Sequence, residues 1–529
     1  MRRRTFLAAA TAQLAMPAIA GAASASVLKF IPQADLAAID PIWTTAYVTR
    51  NHGFMVWDTL YGQSGPESGF KAEPQMVDGH VVSADGKTWT LTLRDGLLFH
   101  TGEKVLAKDC VASIQRWSAR DAFGQALMQR TDAVTAQDDK TIVFRLKRPF
   151  PLLPQALGHA AANMCAIMPE RVAQTDPFKQ ITEVVGSGPF QFVAKERVPG
   201  SLAVYAKFDK YQPRPGGEPD WTAGPKVAHF DRVEWHTIPD AATAANALQS
   251  GEVDWWEYPT SDLMPMLKQH KDCIVATKDP TGECMLLRPN HLFPPFDNPA
   301  IRRALMGAIN QKDFMTAMMG TDTSLWKTPC GFFPPGTPLA SSTAGSPLPS
   351  GDPDYAKVKA ALAAAGYKNE KVSLMASTDF PILNALDEVA ADMLKRAGIN
   401  LDYQATDWGS VVQRRALKKP PAEGGWNMFI TGFAGLDFST PAADLPLRGN
   451  GQSAWFGWPD DPKMEDFRNA WFEAPDLDAQ KKIAADMQAH AFETVPYYPL
   501  GFAYQPTAFR KDITNMQDGF VMFWNVRRS

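Results

Sequence analysis

The chain reads as an α/β protein of several units, and three observations predict that class. Stretches whose apolar residues recur at every second position exchange along the chain with stretches of helical spacing. At 529 residues the length suits three or four domains of roughly 150 residues each. No repeat of roughly 20–50 residues runs through it, which sets aside solenoids and propellers.

The elements follow in order. After the turn signal Asp85-Gly86, Trp89, Leu91 and Leu93 alternate with Thr90 and Thr92, a half-buried strand. Ile142, Phe144 and Leu146 repeat the pattern after Asp138-Asp139-Lys140. Asn298-Pro299 supplies an N-cap and a first-turn proline for a helix with Ile301, Leu305, Ala308 and Ile309 on one face. Asp352-Pro353 opens a second helix, with Ala361, Leu362 and Ala365 inward and Gly366 near its end. Leu386, Val389, Ala390, Met393 and Leu394 mark a third, stopped by Gly398 before the strand 399–403. A fourth runs over 477–492 and ends before Pro496. Between 329 and 353 prolines are too dense for a helix or a central strand. Phe332, Phe333 and Leu339 there favour an ordered loop over a free linker, since exposing them is costly.

Composition excludes several function classes. Hydrophobic residues make up 45% and charged residues 21%, a globular balance. A net charge of −4 offers no basic field for nucleic acid. Five Cys without a C-x-x-C pair make neither a disulfide scaffold nor a zinc site. At the N-terminus, Arg2 to Arg4 precede the apolar run 6–20 and small residues with A-x-A sites near 20–26, the pattern of a cleaved export signal. Arg3-Arg4-Thr5-Phe6-Leu7 also fits a twin-arginine core, and an ordinary secretory signal is the other reading.

Catalytic signatures are missing. Gly451-Gln452-Ser453-Ala454-Trp455 fails the nucleophile-elbow pattern at its last position. The nine His have no i, i+4 pair, and no phosphate-binding loop occurs. The expectation is a protein that is not an enzyme, with no cofactor and no metal. A carboxylate pair brought together in space keeps a hydrolase as the alternative.

Val56-Trp57-Asp58-Thr59-Leu60-Tyr61-Gly62 and the run from Pro74 to Trp117, with Leu93-Arg94-Asp95-Gly96 and Phe99-His100-Thr101-Gly102, resemble the family 5 extracellular solute-binding proteins. Six further pieces occur in the family's order: Val185-Gly186-Ser187-Gly188-Pro189-Phe190, Leu248-Gln249-Ser250-Gly251-Glu252-Val253-Asp254, Pro294-Pro295-Phe296-Asp297-Asn298, Ile301-Arg302-Arg303-Ala304-Leu305, the helix ending Ala364-Ala365-Gly366-Tyr367, and Val495-Pro496-Tyr497-Tyr498-Pro499. The resemblance spans about 27–515. It implies a type II periplasmic binding protein fold: two α/β lobes, a two-segment hinge and an extra inserted subdomain. Lobe I would be 26–54, 180–280 and 500–529, the inserted subdomain 55–179 and lobe II 281–499, with hinge crossings near 278–288 and 496–503. It further implies a monomeric periplasmic receptor that delivers a small solute, a peptide or amino-acid-derived compound, to the permease subunits of an ABC importer.

The family's peptide receptors carry an Asp after a G-W pair that meets the ligand's ammonium group. Gly432-Phe433-Ala434-Gly435-Leu436-Asp437 is similar, with Phe433 for Trp and Asp437 one position late. Asp437 reads either as that ligand residue or as a surface or capping Asp. Arg288 reads as a clamp on a ligand carboxylate or as a structural bridge, with Asn290 beside it. Trp256, Tyr258, Trp408, Trp455 and Trp43 are aromatic candidates for the cleft or its packing. Cys273 and Cys284 flank Asp279-Pro280-Thr281-Gly282 and could face each other across a hairpin, as a disulfide or as two buried thiols.

Overall fold

The computed structural model describes residues 26–340, 346–349 and 351–529. The export-signal reading of 1–25 lies outside the described residues. Two large mixed sheets form the body. The first orders its strands Cys273–Thr277, Pro506–Arg510, Trp255–Trp256, Val27–Ile31, Arg232–His236, Leu202–Lys207 and Phe190–Phe192. The second orders Trp326–Lys327, Tyr498–Ala503, Glu283–Pro289, Met428–Ala434, Lys371–Ser377 and Asn400–Thr406. These are the cores of the two lobes. A four-stranded antiparallel sheet, Val77–Val82, Thr88–Leu93, Thr141–Leu146 and Thr131–Ala136, lies in the stretch read as inserted.

Local chemistry accounts for most elements. The two alternating segments pair with each other, Trp89 opposite Phe144 and Leu91 opposite Ile142, so their apolar faces coincide. Asn298 caps helix Pro299–Met306 by accepting from the Ala300 amide at 2.9 Å. The next helix, Tyr355–Ala364, is capped by Asp354 rather than Asp352, because the Asp354 carboxylate reaches the Lys357 amide. Helix Pro381–Arg396 begins a turn earlier than the apolar positions suggested, on Pro381. Helix Leu477–Thr494 is capped by Asp476. Phe332, Phe333 and Leu339 are buried, and Phe332 packs edge-on against Phe492 and Tyr497.

The glycine motif works by close approach. A Cβ on Gly186 would lie 1.8 Å from the Val56 carbonyl oxygen, so only glycine lets this segment pass. His100 braces the same segment, with Nε2 at 3.0 Å from the Gly188 carbonyl and Nδ1 accepting from the Gly186 amide.

The chain passes between the two sheets at 278–282 and again at 504–505. The return lies beyond the expected 496–503, because Tyr498–Ala503 pairs with Glu283–Pro289 and stays in the second sheet. The hairpin expected between Cys273 and Cys284 does not form. Cys273 pairs with Arg510 in the first sheet and Cys284 with Phe433 in the second, so the turn signal between them is a crossing. Both cysteines are buried free thiols.

Candidate functional site

The lobes meet along a polar seam. On the first lobe it is built from Thr44, Thr45 and Tyr47, where helix Tyr47–Val56 begins. Tyr47 donates its hydroxyl to Asp437 Oδ2 at 2.6 Å and accepts from the Ala434 amide. The Trp455 indole donates to Thr45 Oγ1 at 3.2 Å. Arg415 Nη2 donates to the hydroxyls of Thr44 and Thr45 at 3.1 and 3.3 Å. The Asp437 loop is tied to the hinge: the Gly435 amide donates to the Gly282 carbonyl, and a Cβ on Gly435 would lie 2.0 Å from the Thr281 oxygen.

Several charges in the seam form no ion pair among the described residues. Arg415 is 1% exposed, sits over the rings of Phe456 and Trp408 at 5.0 and 5.3 Å, and its Nε has no hydrogen-bond partner. Burial and the neighbouring Arg120 press against its charge. The Arg50 guanidinium is clamped between the rings of Phe520 and Tyr47 at 3.7 and 3.8 Å, bonds only Asn51 Oδ1, and leaves Nη1 unpartnered. Burial raises Asp437 to about 6, against the Tyr47 hydrogen bond and the charges of Arg50 and His159. Burial likewise lifts Glu257 and Glu283 to about 7. Glu257 accepts from Asn51 and Gln33, and Glu283 Oε1 accepts from the Tyr258 hydroxyl.

Three cavities of about 20, 40 and 30 Å³ lie along the seam. Leu436 and Ser439, which flank Asp437 in sequence, line a larger one of about 620 Å³ with Phe70, Phe123, His159 and Trp471. That volume falls in the range of small-molecule sites.

The structure gathers Asp437, Phe433, Trp408, Trp455, Trp256 and Tyr258 at or beside the seam. Phe433 stacks on Phe438 at 5.3 Å and meets Trp455 edge-on. Trp256 lines the cavity of about 20 Å³, Trp408 that of about 30 Å³, and Tyr258 lines all three. Asp437 is 5% exposed and caps no helix, which removes its surface reading.

Three candidates stand elsewhere. Arg288 is fully buried inside the second lobe and gives its donors to the carbonyls of Phe456, Pro446, Pro496 and Trp455, so nothing is left to clamp a ligand. Asn290 is spent on the Trp426 carbonyl and the Leu292 amide. Trp43 donates to the Phe178 carbonyl in the packing around helix Ala107–Ser118. Sequence reasoning missed Arg415, Arg50, Glu257, Glu283, Thr45 and Tyr47. Glu257 stands between the candidates Trp256 and Tyr258, whereas nothing in composition or spacing marks Arg415.

Two lobes closing on a polar seam, with a crossing of two segments between them, define a receptor that encloses a small solute. The chain belongs to family 5 of the bacterial extracellular solute-binding proteins, whose family model, described as the middle region of family 5, matches residues 71–455. It is 34% identical over 544 residues, covering 100% of this chain and 99% of the relative, to a probable peptide ABC transporter periplasmic-binding protein of Sinorhizobium fredii. It is 28% identical over 424 residues, covering 79% of this chain and 75% of the relative, to a glutathione-binding protein of Pectobacterium atrosepticum. Among solved structures it resembles an Agrobacterium tumefaciens binding protein in complex with agropinic acid, with a TM-score of 0.77, 21% identity and coverage of 95% and 99%. A Pseudoalteromonas dipeptide-binding protein in complex with Met-Leu gives a TM-score of 0.77 at 19% identity, with coverage of 95% and 100%. The function is that of a substrate-binding protein, and the hydrolase alternative finds no support in the family. Among the described residues no helix is long and apolar enough to cross a membrane.

Proposed function

We propose that this monomeric protein captures a zwitterionic amino-acid-derived solute, a short peptide or a related conjugate, in the periplasm and delivers it to the permease subunits of an ABC importer. One observation carries the reading. Asp437 and Arg415, both buried, face opposite parts of the segment 44–47, and neither has an ion-pair partner among the described residues. A carboxylate and a guanidinium so placed complement an ammonium and a carboxylate on one ligand. The cavity of about 620 Å³, lined by Leu436 and Ser439 on either side of Asp437 in the chain, takes the body of the solute. The lobes part to admit it, and contacts to both favour the closed form. The description of the S. fredii relative supports the peptide assignment.

Native mass spectrometry of residues 26–529, before and after denaturing release, tests this. A released compound bearing an amine and a carboxylate is expected. A bare protein mass, with no heat on titration of di- and tripeptides, overturns it. Export is tested separately: replacing Arg3 and Arg4 by Lys abolishes it if the route is twin-arginine and leaves it intact if the route is the general secretory one.

A further inference from the structure

Glu283 opens strand Glu283–Pro289 and stands between the seam cavities of about 40 and 30 Å³. Each is the size of one water or one primary ammonium group. The Tyr258 hydroxyl holds Oε1. Oε2 has no hydrogen-bond partner among the described residues, and it faces Gly432, where a Cβ would stand 3.7 Å from it. The closer neighbour there is Met285, whose Sδ a Cβ on Gly432 would meet at 2.8 Å.

The surroundings ask for a positive charge. Glu257 and Asp279 line the same cavity of about 40 Å³. Gln505 lines it too, 7% exposed, with Oε1 lacking any hydrogen-bond partner. Lys278 borders the cavity but spends its ammonium on Asp518 and the Met516 carbonyl. Arg50, whose charge is felt by Glu257, Asp279 and Glu283, is fixed between two rings and forms no ion pair among the described residues. Glu257 is buried and Glu283 and Asp279 are partly buried, so each costs free energy as a carboxylate unless a cation or a proton joins it.

We propose that this corner receives a primary ammonium at the end of the solute's side chain, so that the protein selects solutes of the lysine or ornithine type over neutral ones. Glu283 is the specificity-determining residue, Tyr258 positions it, and Glu257, Asp279 and Gln505 supply the surrounding negative potential. The inference rests on the proposed function, since it takes the solute to be amino-acid-derived.

Calorimetric titration of residues 26–529 with the dipeptides Ala-Lys and Ala-norleucine tests it, in the wild type and in Glu283→Gln. The wild type should bind Ala-Lys about tenfold or more tightly than Ala-norleucine. In Glu283→Gln that ratio should fall towards one. If Glu283→Gln fails to fold, Glu283→Asp, with its charge on a shorter arm, should lower the ratio as well. Equal affinities in the wild type, or a ratio unchanged in the variant, overturn this inference and leave the proposed function standing. Failure of both dipeptides and of free lysine to bind overturns the two together.

Discussion

The junction between the inserted unit and the first lobe and the seam between the lobes both bury charges, and they treat them oppositely. At the junction, Arg116 of helix Ala107–Ser118 meets Asp40 through Nη1 and Nη2 at 3.1 and 2.7 Å. Lys226 meets Asp58 at 2.7 Å, and every one of these side chains is at most 1% exposed. In the seam, Arg50, Arg415, Asp437 and Glu283 form no ion pair among the described residues. Matched burial fastens two units permanently; unmatched burial is tolerable where a ligand completes the pairing.

Breaking the junction should have the largest effect. Asp40→Ala leaves Arg116 buried without its counter-charge, held only by the Thr175 and Lys179 carbonyls, and should cost about 3–5 kcal/mol of stability in a denaturant titration. Asp437→Asn should instead leave the melting temperature unchanged or raised while weakening capture of an ammonium-bearing solute about tenfold or more. Arg415→Met should show the same split for a carboxylate-bearing solute, stability kept and affinity lost, by calorimetry. A large fall in melting temperature in either variant would place that residue with the junction.

The gentlest test is pH. At the junction burial pushes Asp58 up, but Lys226, Arg94 and Tyr211 overcome it and bring the carboxyl below its ordinary value. Its contribution is present above the unfolded carboxyl's value, about pH 4, and is lost as pH falls through the lower folded one. Asp437, Glu257 and Glu283 stand above theirs, at about 6, 7 and 7. The folded protein therefore holds protons that the unfolded chain has released. Their contribution is complete below about pH 4 and fades as pH rises through these folded values. The melting temperature without solute should fall between pH 5 and 8 more steeply in the wild type than in Glu257→Gln, while affinity for a cationic solute rises over the same range. Parallel curves for the two proteins would remove Glu257 from this account.

The helices and strands were legible because their apolar spacing and caps are local properties, as at Asn298-Pro299 and in 88–93. The Gly186-Ser187-Gly188 segment was legible because close backbone approach leaves glycine little substitute. The crossing at 278–282 was legible only through the family resemblance and not from the turn itself, because a proline-glycine turn between two strands has the same composition whether the strands pair or part. Nor could the sequence separate Arg288 from Arg415. Both are arginines near aromatic residues; what differs is that carbonyls of distant loops surround one and hydroxyls of the opposite lobe face the other. Such distinctions arise only when segments far apart in the chain are brought together.

The two crossings leave from adjoining points: Thr277 pairs with Pro506 on one side and Glu283 with Ala503 on the other. The joint is thus a narrow double strap, which favours swinging about one axis over sliding or twisting. Glu283 opens the strand that one of these straps enters, so it sits beside the joint. The proposed ammonium contact would then be made beside the joint, where the parting of the lobes disturbs it least.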